Sequence, residues 1–200
     1  MTGDAYEALV KEVKFTQPEE ISSVCGPGKP ADLDPATAEC LDYGAGTGLT
    51  GLKLKEKGFQ NITGIDGSES LLEKLNQCGA YKASRCLWLG VGADKYPDDL
   101  KGKFDLVTAT GVFLKGHVPA LGYEDVYATL KTGGYLVAGT RSMYWKDGEA
   151  EGFKDKVDAM IAEGKFKKVH EHEYTHGVEG APEDSFQRQM QTTCYVLQKQ

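Results

Sequence analysis

The sequence lacks several features that would place it in a membrane, outside the cell or on nucleic acid. No run of eighteen apolar residues interrupts its 200 positions, so no membrane-spanning helix is expected. Its opening, MTGDAYEALVKEVK, is polar with helical spacing rather than a basic region followed by an apolar one. Positive charge is scarce: 23 Lys and Arg against 30 Asp and Glu leave a net charge of −7, which offers no broad attractive field to a phosphate backbone. The five cysteines, Cys25, Cys40, Cys78, Cys86 and Cys194, are odd in number and scattered, which argues against a disulfide framework and for reduced thiols among apolar neighbours. These absences point to a soluble, cytoplasmic protein with a small-molecule partner rather than a nucleic acid or a membrane.

What is present suits one packed core. With 40% hydrophobic and 26% charged residues over this length, a single domain is expected. Within it, residues 1–33 read as N-terminal helices ending in the breaker-rich loop CGPGKPADLD, and residues 34–200 as a sheet core. Strand and helix alternate along that core. Strands are expected at 38–43, 61–66, 83–90, 104–110 and 135–140, and helices at 49–57, 68–78, 123–131 and 149–162, with Ser68 as a cap and Gly133-Gly134 as a turn. Such alternation requires a parallel sheet with helices on both faces, because parallel neighbours need a crossover. Residues 167–175 and 186–197 break the rhythm: two strands with only the turn-rich HGVEGAPED between them should pair antiparallel.

The chemistry concentrates in CLDYGAGTGLTG, residues 40–51, where four glycines and Asp42 follow an apolar run. A glycine cluster between a buried strand and a helix is where open α/β sheets bind ligands. Gly46-x-Gly48-x-x-Gly51 formally satisfies the dinucleotide fingerprint, with Asp66 at the distance of a ribose-binding acid. An NAD-dependent dehydrogenase is therefore one reading. A carboxylate at Asp42, however, would repel a pyrophosphate and attract an ammonium group. A terminal antiparallel hairpin also departs from dehydrogenase topology.

Asp42-x-Gly44-x-Gly46-x-Gly48, followed by Asp66, resembles the glycine-rich and ribose-binding motifs of the class I S-adenosylmethionine-dependent methyltransferases. Leu130-Lys131-Thr132-Gly133-Gly134-Tyr135-Leu136 looks like that family's turn into strand five, with Thr132 where proline is usual. GIDGSESLLEKL, YKASRCLWLG and GVFLKGHVP are further similar to the methyltransferase-like subfamily named for the Williams–Beuren chromosomal region. The resemblance covers roughly residues 35 to 145. It implies a Rossmann-like, seven-stranded, mostly parallel sheet with a C-terminal antiparallel β-hairpin, and S-adenosylmethionine as cofactor.

The resemblance implies roles residue by residue. Gly44, Ala45, Gly46, Thr47 and Gly48 would let the backbone approach the methionine part of the cofactor, with Asp42 near its ammonium. Asp66 would hold the ribose hydroxyls, its alternative being to cap the next helix, a task for which Ser68 is better placed. Gly67 and Leu71 would border the adenine on one side, and Leu89 and Gly90 on the other. No acid or amide follows strand three to read the adenine amino group. Trp88 is either a cofactor wall or core. Thr110 and Gly111 end strand four where the methyl group would face its acceptor.

His117 is a candidate general base or orienting group, since imidazole titrates near neutrality; an exposed loop histidine is the plainer alternative. Arg141 is either an anion-binding group, with Tyr144 and Trp145 as aromatic walls of a substrate site, or half of a surface ion pair. His170, His172 and His176 form H-x-H-x-x-x-H, but no cysteine or zinc-site spacing accompanies them, and no metal is expected. The expected function is a methyltransferase acting on an oxygen, nitrogen or sulfur nucleophile, most simply on a small molecule. A cofactor-binding protein without turnover is the remaining alternative.

Overall fold

A computed structural model of the chain describes residues 33–176 and 189–200. The expected N-terminal helices, most of the connection between the last two expected strands and the first residues of the last one lie outside them.

Seven strands form one sheet in the order β3-β2-β1-β4-β5-β7-β6. They are β1 (Glu39–Tyr43), β2 (Asn61–Asp66), β3 (Ala83–Cys86), β4 (Phe104–Thr110), β5 (Leu130–Arg141), β6 (Phe166–His176) and β7 (Met190–Lys199). β1 to β5 pair in parallel, whereas β7 lies antiparallel between β5 and β6. Helices α1 (Leu49–Glu56), α2 (Glu69–Gln77), α3 (Gly122–Thr129) and α4 (Phe153–Ala162) make up the covering layers. No helix among the described residues is long and apolar enough to cross a membrane.

The period of two along each strand divides the core. Leu41 and Tyr43 join Val107, Phe113, Phe153 and Tyr195 on one face, while Cys40 joins Leu54, Phe59, Ile62 and Val137 on the other. Both faces are covered, which explains why β4 (FDLVTAT) is almost continuously buried rather than alternating. Ser68 caps α2 as expected, its Oγ accepting from the Leu71 N–H at 3.4 Å. Cys40 and Cys194 are fully buried, but Cys86 is exposed.

Three boundaries differ from the sequence reading. β3 stops at Cys86 instead of reaching Gly90; the Leu87 N–H still donates to Asp66 O at 2.9 Å, and the chain then leaves the sheet through Gly90 and Gly92, both at positive φ. α4 starts at Phe153 rather than near Glu149. β5 begins at Leu130, and the expected Gly133-Gly134 turn is an irregularity inside it, because Phe104 pairs with Leu130 while Leu106 pairs with Tyr135. A Cβ on Gly134 would lie 3.0–3.1 Å from the carbonyl oxygens of Lys131, Asp105 and Phe104, so the strand needs bare backbone there.

Candidate functional site

Beyond the carboxyl ends of β1, β2 and β4 lies a cavity of about 330 Å³, the position at which open α/β sheets bind ligands and within the usual size range for them. Gly44 and Asp66 form its floor, with Gly67 and Leu71 beside them at the start of α2. Trp88 and Leu89 wall one side. Gly111, Val112 and the Gly116–Pro119 segment, which includes His117, wall the other.

The glycine-rich loop is stapled across the sheet by the Gly44 and Ala45 N–H groups, both donating to Ile65 O at 2.9 Å. Its glycines serve different ends. Gly46 (φ +54) has open space where a Cβ would stand, so conformation is what requires glycine there. Gly44 lines the cavity, but a Cβ on it would meet Val112 Cγ2 at 2.6 Å. Gly48, Gly51 and Gly64 form a slot for the Tyr81 ring: a Cβ on Gly51 would lie 2.2 Å from Tyr81 Cζ. Gly48 thus makes room for a side chain of the protein, not for a ligand. Ala45 is buried and packs with Leu72 and Leu75.

Asp42 corrects the electrostatic expectation. It is 1% exposed, lies beneath the loop and is absent from the cavity wall. Its Oδ2 accepts from the Tyr81 hydroxyl at 2.6 Å and its Oδ1 from the Thr108 hydroxyl at 2.9 Å, while Tyr81 Oη accepts from the Gly51 N–H at 2.9 Å. Burial pushes the Asp42 carboxyl up to about 6, against the lowering effect of the Tyr81 and Thr108 hydrogen bonds; nearby Asp66 adds to the rise. The strand period already placed Asp42 on the same face as Cys40, towards α1.

Asp66 is in the cavity wall. Its Oδ2 accepts from the Gly46 N–H and its Oδ1 from the Ser68 N–H, both at 2.9 Å, so it fixes the loop and starts α2 at once. Each oxygen keeps a further lone pair for a ligand hydroxyl. Trp88 is 76% exposed, which removes it from the core and leaves its ring on the cavity side, with Cε3 3.4 Å from where a Gly67 Cβ would be.

The other expected site residues separate. Gly67, Leu71, Leu89, Gly111 and His117 line the cavity; Thr47, Ser68, Gly90 and Thr110 do not. Thr110 instead contacts the Thr50 hydroxyl at 3.2 Å behind the loop. Trp145 is buried and stacks on Tyr195 at 3.8 Å, and Tyr144 packs edge-on against Phe153, so neither is an aromatic wall of this cavity. Arg141, at the end of β5, is outside the wall too. His170 and His172 ring nitrogens are 3.2 Å apart on β6, and no group of three or more potential metal ligands occurs among the described residues. The sequence reading did not single out Val112, Gly116, Val118 and Pro119, although their neighbour His117 marked the segment.

Comparison with known proteins agrees with this geometry. Residues 41–136 match the family described as a methyltransferase domain. Human methyltransferase-like protein 27 is 33% identical over 108 residues, a stretch covering 54% of this chain and 42% of that protein. An S-adenosylmethionine-dependent methyltransferase from Methanosarcina mazei has a TM-score of 0.61 at 16% identity, covering 84% of this chain and 94% of its own. A TehB-like S-adenosylmethionine-dependent methyltransferase from Corynebacterium glutamicum has a TM-score of 0.61 at 17% identity, covering 98% and 95%. At such identities the structural likeness concerns the fold. Residues 41–136 thus match a methyltransferase domain in sequence, and the chain shares the fold of S-adenosylmethionine-dependent methyltransferases over most of its length.

Proposed function

We propose that the chain binds S-adenosylmethionine in the 330 Å³ cavity and transfers its methyl group to a small nucleophile. The observation that carries this reading is Asp66, a carboxylate at the end of β2 that lines the cavity, holds the Gly46 loop and retains lone pairs for two ribose hydroxyls. A dinucleotide is disfavoured by the sheet, whose antiparallel β7 departs from the all-parallel order of dehydrogenases, rather than by Asp42. The bare backbone at Gly44 and Gly46 fits the cofactor's methionine part, and Trp88 and Leu89 fit its adenine. Resemblance to the Williams–Beuren-region subfamily, with the 33% identity to human methyltransferase-like protein 27, supports a place near that group.

When bound, the cofactor supplies an electrophilic methyl on a sulfonium. The chain's own task is to align an acceptor with it and exclude water, from which much of the attainable acceleration comes. His117, on the acceptor side, would receive the proton of the incoming nucleophile. A binding protein without turnover is the second reading, favoured by the exposed His117 being, among the described residues, the one titratable side chain on that wall. Calorimetric titration with S-adenosylhomocysteine and with NAD separates the cofactor readings, with binding of the former alone expected and binding of NAD alone overturning the proposal. Asp66→Ala should weaken S-adenosylhomocysteine by about 1.5–3 kcal/mol; unchanged affinity would place the ribose elsewhere. Labelled methyl incorporation from a metabolite extract distinguishes enzyme from binder.

A further inference from the structure

Asp125, in the first turn of α3, is fully buried, and among the described residues it forms no ion pair. Its partners are mostly main chain. Oδ2 accepts from the N–H of Gly90 at 2.7 Å and Val91 at 3.3 Å and from the Tyr43 hydroxyl at 2.8 Å, while Oδ1 accepts from the Gly92 N–H at 2.7 Å. Three consecutive amides can converge on one carboxylate because Gly90 (φ +76) and Gly92 (φ +85) turn the chain into a concave nest.

The segment so held is the one that leaves β3 for the cavity. Trp88 and Leu89, immediately before the nest, form one cavity wall. Gly90 backs onto the other: a Cβ there would lie 2.6 Å from Pro119 Cδ and 3.1 Å from Val118 Cγ1, both residues of the acceptor side. Pro119 is tied to α3 in turn, its carbonyl accepting from the Gly122 N–H at 2.9 Å. A buried carboxylate without a cation costs a fold stability that an apolar residue would not. What it provides here is a partner for three amides that have no strand to pair with.

We propose that Asp125 is a positioning residue for the cofactor site: it sets the adenine-side wall and locks it in register with the acceptor-side loop. The identity of the ligand rests on the proposed function; the pinning of the loop does not. Asp125→Asn keeps the shape but turns one oxygen into a donor facing donors. Amide hydrogen exchange at residues 90–92 should accelerate about tenfold or more, with amides of β1 and β4 unchanged, and S-adenosylhomocysteine should bind about tenfold more weakly. Unchanged exchange at 90–92, equal acceleration throughout the sheet, or local loosening without loss of affinity would each overturn the proposal. Should Asp125→Asn fail to fold, Tyr43→Phe removes one of the four donors. A roughly threefold acceleration confined to 90–92 then supports the proposal, and no local change overturns it. A wild-type protein that binds no S-adenosylhomocysteine would sink the proposed function instead, and the exchange pattern would still decide whether Asp125 pins the loop.

Discussion

Asp42, under the glycine-rich loop, and Asp125, under the loop that follows β3, are both buried carboxylates behind the cavity, but they hold different kinds of partner. Asp42 takes two side-chain hydroxyls and so fixes a ring, Tyr81, in a slot built from three glycines. Asp125 takes three backbone amides and one hydroxyl and so fixes a stretch of main chain. The first network can be dismantled from either end by substitution. Most of the second can be removed only at the acid, since backbone donors have no codon of their own. The floor of the cavity and its Trp88–Leu89 wall are thus each backed by a residue that does not line it.

The sharpest way to break the Asp42 side is to fill the slot. Gly51→Ala places a Cβ 2.2 Å from Tyr81 Cζ and 2.4 Å from its hydroxyl, and the ring is held by Asp42 and cannot retreat. We expect a loss of about 3 kcal/mol or more in urea unfolding, at the upper end for overpacking; a loss below about 1 kcal/mol would mean that the slot is loose.

Next in size is pH. Burial raises Asp42 from 3.8 to about 6, so between those values the native state binds more protons than the unfolded one. Stability should therefore fall as pH rises through this window, by on the order of 2–3 kcal/mol from this group. Asp42→Asn should abolish that slope in unfolding curves taken at pH 4, 5, 6 and 7; an equal slope in the variant would assign it to other groups.

The smallest effect belongs to the Asp125 side, at the tip of its loop. Trp88 is 76% exposed, so Trp88→Ala should change stability by less than about 0.5 kcal/mol. It should nevertheless weaken S-adenosylhomocysteine by about 1 kcal/mol, the lower end for a base stacked on an aromatic ring. An effect on stability alone would return Trp88 to a packing role.

The sheet was legible because its signals are local: apolar runs for β1, β2 and β4, Ser68 before α2, and two strands with no room for a helix between them. Asp66 was legible as a cavity residue because it closes the second strand, beside the glycine-rich loop. What escaped depends on partners far along the chain. Leu87-Trp88-Leu89 alternates like a strand, yet Asp125, some 35 residues on, draws the amides after it out of the sheet. Trp145 reads as a binding-site aromatic until Tyr195 of β7 covers it. Asp42 was found by its motif but misjudged in direction, although the alternation of Cys40 and Asp42 along β1 carried the correction.

The position of β7 has a consequence for how the molecule is made. β6 is synthesised before β7 but, among the described residues, pairs only with it, and β7 in turn supplies the hydrogen bonds for the free side of β5, from Tyr135↔Gln198 to Arg141↔Thr192. Until β7 leaves the ribosome, that side of β5, with its apolar Tyr135–Ala138 run, is an open edge and a site for wrong pairing. Completion of this sheet therefore waits for β7, and a chaperone that shields β5 would serve the chain most before that strand emerges.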